Sequence, residues 1–414
     1  MTTQETQLKD IRLLIVLYAG DYRDVVRRVN SNRGTTHHSH PFVLEAISEL
    51  SQQLQEITIL CCRCPDAYNE VVYPGFRVIG SGFNPYERMS DLIRLIADYQ
   101  PTHLVVRVPL KPIFNWAIKH RVPTITLLAD SFFSQHWYQR LKNWELQRLL
   151  NHPTVEWVGN HGMNASQSLA AIGVKAQKIV PWDWPHPEQP SDLSAKQLRS
   201  GPSPLRLIYV GTLTERKGVG DILNAVAALE KRGLHVHFQM AGRGDREQFE
   251  SQANQLGIRD RIEFLGLVPT NQVVSLMADA DLVVVPSRHD YPEGLPRTIY
   301  QGLCSRSPLV VSDHPAFASR LQHRQTAMIF PAGDAAAIAA CIEQLYTDSA
   351  LYASLSEAAQ GAWQALQISV KWADFIRRWL SQDSYDIDWL SDNSLASIHR
   401  AAPPDEQTKQ CVAH

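Results

Sequence analysis

The 414-residue chain, 44% hydrophobic, is long enough to bury two α/β cores, which excludes a disordered polypeptide. Lys plus Arg total 40 and Asp plus Glu 42; the net charge of −2 excludes a general drive toward nucleic acid or anionic membrane, so any anion site has to be local. The opening MTTQETQLKD is polar and acid-containing, which speaks against a secretory signal, and no apolar run approaches the about 20 residues that span a bilayer.

The first apolar runs, Ile11–Leu17, Ile57–Cys62, His103–Val108 and Thr124–Leu128, are separated by helical patterns such as Phe42–Leu54 and Met89–Tyr99. This alternation predicts a parallel-sheet domain, completed by Val155–Val158 and Lys178–Val180. Gly20 and Asp21 follow the first strand, Arg33-Gly34-Thr35-Thr36 precedes a helix, and Asp130 follows Thr124–Leu128. All lie where the carboxyl ends of parallel strands face a ligand. Asp130 before Ser131 also suits a helix N-cap or a turn.

Six cysteines without disulfide-scaffold spacing fit a reduced, cytoplasmic chain. Cys61-Cys62-Arg63-Cys64 invites a metal, but no second Cys/His pair stands at ligand spacing, so buried thiols are expected. In His37-His38-Ser39-His40, adjacent rings point apart and no carboxylate or cysteine completes a shell, so no metal site is expected there. Trp137, Leu141 and Trp144 share one helical face, interrupted by Glu145 and Arg148, and this face is expected to pack on a neighbouring surface.

In PWDWPHPEQPSDLSAKQLRSGPSP, six prolines break any regular pattern and mark a connection. The expected organisation is a domain over 1–190, a linker over 191–204, a domain over 205–368, a helical segment over 369–400 packing back on the first domain, and a disordered tail over 401–414. In the second domain, Leu205–Val210, His235–Met240, Ile262–Leu265, Leu282–Val285 and Leu309–Val311 alternate with helical patterns, clearest at Val219–Lys231 and Gln272–Ala278. Near the C-terminus KWADFIRRWL puts Trp372, Phe375, Ile376 and Trp379 on one face. Docking onto protein is expected; the flanking Lys371, Arg377 and Arg378 keep a peripheral membrane contact as the alternative.

Chemistry concentrates in the second domain. The strand in LRLIYVGTLTERKG ends at Gly211, and Arg216-Lys217-Gly218 opens a helix, an arrangement suited to a diphosphate. Solvated loop charges are the plainer alternative. Ala241-Gly242-Arg243-Gly244-Asp245 follows the next strand, where glycines allow backbone to approach a ligand. Phe264-Leu265-Gly266-Leu267 ends a third. The stretch from Asp281 to Asp313 reads as strand, loop, helix and strand, with Glu293 just before the helix, Pro296 in its first turn and Gln301 inside it, seven residues separating Glu293 from Gln301.

These motifs, followed by Gly302 and Pro308-Leu309-Val310-Val311, occur in an order and spacing that closely resemble the retaining glycosyltransferases of family four, the glycogen-synthase-like or group 1 enzymes. The resemblance covers roughly Leu205 to Leu345; Asn164–Pro181 resembles the segment leading into the family's interdomain linker. It implies a GT-B fold of two doubly wound, Rossmann-like domains facing each other across a cleft. It further implies a hexosyltransferase working from a nucleoside diphosphate sugar, metal-independent and without a cofactor, in polysaccharide or glycoconjugate biosynthesis.

Carried over by residue, Arg216 and Lys217 hold the donor diphosphate and Glu293 faces the transferred sugar. Gly211, Gly242, Gly244, Leu267, Gly294, Leu295, Pro296, Arg297 and Gln301 line the donor site. On the acceptor side stand Gly20, Asp21, Gly34 and Thr35, with Asp130 as the candidate contact for the reacting hydroxyl. Gln301 departs from the family's second glutamate, so a charge-assisted bond to ribose becomes a neutral one. Thr212 replaces a common arginine. No Asp-x-Asp motif sits at a strand end. The acceptor, whether glycan, lipid-linked or small molecule, is unassigned, as is the oligomeric state. A weakened binding or scaffold protein, an epimerase and a phosphorylase on the same fold are the alternatives.

Overall fold

The computed structural model describes residues 8–18, 20–31, 39–132, 136–199, 203–291 and 295–401. The chain divides into two compact units, Met1–Pro185 with Ile368–His414, and His186–Gln367.

The first unit runs β1 (Arg12–Leu17), α1 (Tyr22–Asn30), α2 (His40–Gln53), β2 (Glu56–Cys61), β3 (Ala67–Tyr73), β4 (Phe76–Ser81), α3 (Met89–Tyr99), β5 (His103–Val106), α4 (Lys111–His120), β6 (Thr124–Leu128), α5 (Trp137–Leu150), β7 (Val155–His161), α6 (Met163–Ala171) and β8 (Ile179–Trp182). Its eight strands are ordered β3-β4-β2-β1-β5-β6-β7-β8. Every pairing is parallel except β3 with β4.

The continuous apolar runs follow from burial on both faces. Leu13, Ile15 and Leu17 point into one core, and Leu14 and Val16 into the other.

The second unit runs β9 (Leu205–Val210), α7 (Val219–Lys231), β10 (Val236–Ala241), α8 (Arg246–Gln255), β11 (Ile262–Gly266), α9 (Val273–Asp279), β12 (Leu282–Val285), α10 (Arg297–Cys304), β13 (Leu309–Ser312), α11 (Pro315–Ala318), β14 (Met328–Phe330), α12 (Ala335–Thr347) and α13 (Ser349–Leu366). Six parallel strands lie in the order β11-β10-β9-β12-β13-β14. The same division recurs, with Leu282 and Val284 in one core and Val283 and Val285 in the other.

The chain then returns to the first unit as α14 (Trp372–Ser381), α15 (Ser384–Asp392) and α16 (Leu395–Ala401). Trp372, Phe375, Ile376 and Trp379 are all at most 1% exposed within that unit's core, and the Trp379 indole donates to Glu156 Oε2 at 2.6 Å. Burial of this stripe in protein removes the membrane alternative for it.

Three expectations are corrected. The proline-rich stretch expected as a linker over 191–204 packs, as far as Arg199, on the second unit. Lys196 Nζ donates to Ala280 O at 2.8 Å and Ser307 Oγ at 2.7 Å, and Arg199 pairs with Asp281 at 2.6 Å. Prolines forbid regular structure but not packing, and the boundary falls earlier, after Pro185. Second, the Trp137 face does not pack on a neighbour: Trp137, Leu141 and Trp144 are 78%, 53% and 50% exposed, and α5 buries Leu146 and Leu150 instead. Third, Pro296 caps α10 from outside with extended backbone, and Arg297 is the first helical residue. Of the expected tail, Ala401 closes α16 and 402–414 lie outside the described residues.

Candidate nucleotide-sugar site

The order of the second sheet reverses between β9 and β12, which are hydrogen-bonded neighbours (Leu207 beside Leu282, Ile208 beside Val283). In an open parallel sheet the crevice outside the carboxyl ends of two such strands is the ligand position. The loop leaving β9 carries Arg216 and Lys217, and the loop leaving β12 runs toward Glu293. Strand adjacency thus brings together segments some 75 residues apart in sequence.

The two loops are locked to each other. Arg288 N–H donates to Arg216 O at 2.9 Å, and Arg216 Nε to Asp290 Oδ2 at 3.0 Å, with a further bond to the Asp290 carbonyl. The Lys217 ammonium lies 4.3 Å and the Arg216 guanidinium 5.6 Å from the centroid of the Tyr291 ring. Gly218, at φ +74°, is required by this approach, because a Cβ there would stand 2.2 Å from Pro286 O. Arg288 clamps the loop from below through two bonds to buried Asp221, at 2.9 and 2.7 Å. His314 Nε2 meets Tyr291 O at 3.0 Å on the other side.

Both cations therefore converge on Asp290 and Tyr291, immediately before Glu293. Glu293 and Gly294 themselves lie outside the described residues. The Arg216–Asp290 pair is more than half exposed on both sides. Such pairs contribute about 0–1 kcal/mol, so a phosphate can displace the carboxylate at little cost.

The Gly-x-Gly after β10 has a packing role that its sequence did not suggest. A Cβ on Gly242 would stand 1.8 Å from Gly211 O. Leu213 N–H donates to Arg243 O at 2.7 Å, and Asp245 N–H returns a bond to Leu213 O at 2.9 Å. Gly242 and Gly244 admit the close approach of the 211–213 backbone. Leu267, just past β11, is exposed.

Gln301 lies in α10, four residues past Arg297, and is 5% exposed. Its amide Nε2 is sealed from solvent without an acceptor among the described residues. A glutamate would present no donor there, so the family departure coincides with an unmet hydrogen bond. Leu295 and Arg297 flank the helix start, and Arg297 Nη2 lies 3.7 Å from Glu188 Oε1.

In the first unit the carboxylates expected on the acceptor side play unlike parts. Asp21 caps α1, accepting from Arg23 N–H at 2.9 Å and Asp24 N–H at 3.3 Å; Tyr68 Oη donates to it at 2.5 Å and Cys64 Sγ stands at 3.5 Å. Burial acts to raise its pKa, but these donors, Tyr68 foremost, hold it below the ordinary value. Asp21 is thus a structural hub. Asp130 stands at the exposed end of β6, where desolvation raises its pKa against the Ala129 N–H and the Arg107 charge. Residues 129–132 are irregular, so Asp130 caps no helix within them. Gly20 is exposed after β1; Gly34, Thr35, His37 and His38 lie outside the described residues. Cys61, Cys62 and Cys64 are buried free thiols, and among the described residues no group of three His, Cys, Asp or Glu side chains gathers for a metal.

Sequence reasoning missed Tyr291, Asp290 and Arg288. The one available signal was their place in the same loop as Glu293, since a loop aromatic has no periodicity.

Comparison with known proteins points to the same region. Residues 191–362 match the family Glycosyl transferases group 1. An amylovoran biosynthesis glycosyltransferase, AmsK of Erwinia amylovora, is 27% identical over 181 residues, 43% of this chain and 44% of that protein. A phosphatidyl-myo-inositol mannosyltransferase of Mycobacterium leprae is 31% identical over 146 residues, 35% of this chain and 38% of that protein. The matches thus span less than half the length of these curated relatives.

Among solved structures, Anabaena HepE in complex with UDP-glucose aligns with a TM-score of 0.62 at 14% identity, over 90% of this chain and 98% of that one. Sucrose-phosphate synthase from Thermosynechococcus elongatus aligns with a TM-score of 0.59 at 15% identity, over 86% and 94%. The fold is GT-B, built from two Rossmann-like units. The second unit resembles the group 1 glycosyltransferases over residues 191–362.

Proposed function

We propose that the protein moves a hexose from a nucleoside diphosphate sugar to an acceptor, with retention of configuration and without a metal. The observation that carries this reading is the packing of Arg216 and Lys217 against Tyr291, two residues before Glu293, at the switch point of the second sheet. As the bond from sugar to phosphate breaks, negative charge grows on the leaving diphosphate, and preorganised cations lower that barrier. In this reading Arg216 and Lys217 supply the charge, the start of α10 supplies N–H dipoles, and Glu293 faces the sugar. Retention and metal independence come from the family resemblance. The HepE complexes contain UDP and UDP-glucose, which makes uridine the first base to try.

The first unit takes the acceptor, with Asp130 as the contact for its hydroxyl. The five described cysteines are free, in keeping with a cytoplasmic site of action. No described helix is long and apolar enough to cross a membrane. A peripheral membrane contact is assigned to α5. Trp137, Leu141 and Trp144 form an exposed stripe flanked by Arg140, Lys142 and Arg148, and the one acid of the helix, Glu145, is paired with Lys111. Aromatic rings with flanking cations suit an anionic bilayer surface.

The test is a panel of nucleoside diphosphates and their sugars. One base series should raise the melting temperature, and the matching sugar should release nucleoside diphosphate on incubation, unaffected by EDTA. The anomeric configuration of the product, read by NMR, decides retention. Failure of every nucleotide to bind sinks the reading.

A further inference from the structure

Arg107 follows β5, and β5 neighbours β1 where the order of the first sheet reverses. The crevice outside the carboxyl ends of these two strands is the ligand position of the first unit. Arg107 Nε donates to Leu127 O at 3.3 Å, and the guanidinium carbon stands 5.4 Å and 5.3 Å from the ring centroids of Trp182 and Trp184. Among the described residues Arg107 forms no ion pair, and neither of its terminal nitrogens bonds a protein group. Burial pushes its pKa down, opposed by Tyr22 and Asp130. A guanidinium nevertheless keeps its proton, so the charge persists without a partner.

A second observation points the same way. The Trp182 indole beneath Arg107 is fully buried, and among the described residues its Nε1 has no acceptor. The carboxylates nearby do not meet these donors. Asp183 Oδ1 is engaged by His161 Nε2 at 2.9 Å and by Trp184 N–H at 2.7 Å, while Asp130 acts on Arg107 only through space. A largely buried charge without a direct ion pair is costly, and a ligand oxyanion reduces that cost.

We propose that Arg107 anchors an anion-binding subsite of the first unit, which takes a phosphate or carboxylate carried by the acceptor. The planar fork of a guanidinium matches either group with two parallel hydrogen bonds. The guanidinium lies within cation–π distance of the Trp182 and Trp184 rings, which restrain the fork. The acceptor is thereby a phosphorylated or uronic-acid-bearing sugar rather than a neutral one. This assignment rests on the reading of the first unit as the acceptor side.

The experiment uses the full chain saturated with UDP, so that the donor diphosphate position is filled. Inorganic phosphate, glucose 6-phosphate, glucuronate and glucose are titrated by calorimetry into the wild type, Arg107→Met and Arg107→Lys. At least one anion should bind and glucose should not; Arg107→Met should raise the dissociation constant about tenfold or more, and Arg107→Lys less. The phosphate and uronate arms separate the two sources of the anion.

Absence of anion binding in the wild type, or binding unchanged in Arg107→Met, overturns the proposal. The UDP-induced melting shift, measured in each variant, shows that the protein is folded. If UDP itself fails to bind the wild type, the donor-site reading fails, and the same titrations without UDP still decide Arg107.

Discussion

The Lys217 ammonium stands 4.3 Å from the centre of the Tyr291 ring, so a residue on the loop after β9 is held by an aromatic on the loop after β12. A cation over a ring face gains about 0.5–1 kcal/mol when exposed, enough to bias its rotamer without fixing it against a stronger anion. Lys217→Ala should cost two to three orders of magnitude in rate, about 2.7–4 kcal/mol of transition-state stabilisation. Nucleoside diphosphate release by the purified variant checks this. Undiminished turnover removes Lys217 from the chemistry.

Gln301 should respond with opposite signs in the empty and loaded protein. Its sealed amide donor has no partner among the described residues, a condition that costs about 1–3 kcal/mol. Gln301→Met should therefore leave the melting temperature of the ligand-free protein unchanged or higher, and reduce the further rise produced by nucleoside diphosphate. Gln301→Glu should tighten nucleotide binding. Melting curves with and without nucleotide measure both.

The exposed stripe of α5 should matter for lipid and not for folding. Trp137→Ala combined with Trp144→Ala removes side chains that are at least half exposed, so stability should stay within about 0.5 kcal/mol per site. Sedimentation with phosphatidylglycerol-containing vesicles should fall in the variant and at high salt, and phosphatidylcholine alone should bring down little of either protein. Equal sedimentation of variant and wild type dismisses the contact.

His103 gives a pH dependence with a definite sign. Its ring lies edge-on to Trp379, and burial pushes its pKa from 6.5 down to about 4. Below pH 6.5 the unfolded imidazole takes up a proton that the folded one refuses until about pH 4, so the unfolded state binds more protons in that window. Stability should be full above pH 6.5 and decline toward pH 4, by up to about 3 kcal/mol. Urea titrations across the window should show the decline in the wild type and a flatter profile in His103→Gln.

The parallel core was legible because two-sided burial writes uninterrupted apolar runs: Leu205–Val210 and Leu282–Val285 appear as strands with the bounds expected of them. The antiparallel edge was not. β3 is exposed or half-buried along its length, and Arg77 and Gly80 interrupt β4, so neither has the pattern of a central strand. The Pro74-Gly75 turn between them was a readable signal; Gly75 sits at φ +78° with Ser51 O only 2.5 Å from where a Cβ would be. Helix α1 was hidden behind Asp21, whose position after a strand suggests a ligand contact but whose oxygens cap the helix.

In the site, strand-loop-helix grammar exposed Arg216 and Lys217. The contacts that gather them come from residues 288–291, brought close by strand order alone, which no local window contains.

The first unit is discontinuous: its core needs Trp372, Phe375 and Trp379, which arrive after the whole second unit has been made. During synthesis the second unit, contiguous in sequence, can close first, while the earlier-made sheet waits with an apolar face uncovered. A nascent chain that has emerged from the ribosome only as far as residue 367 therefore carries every residue of the second unit but lacks part of the first unit's core. The last helices act as the latch that closes the first core.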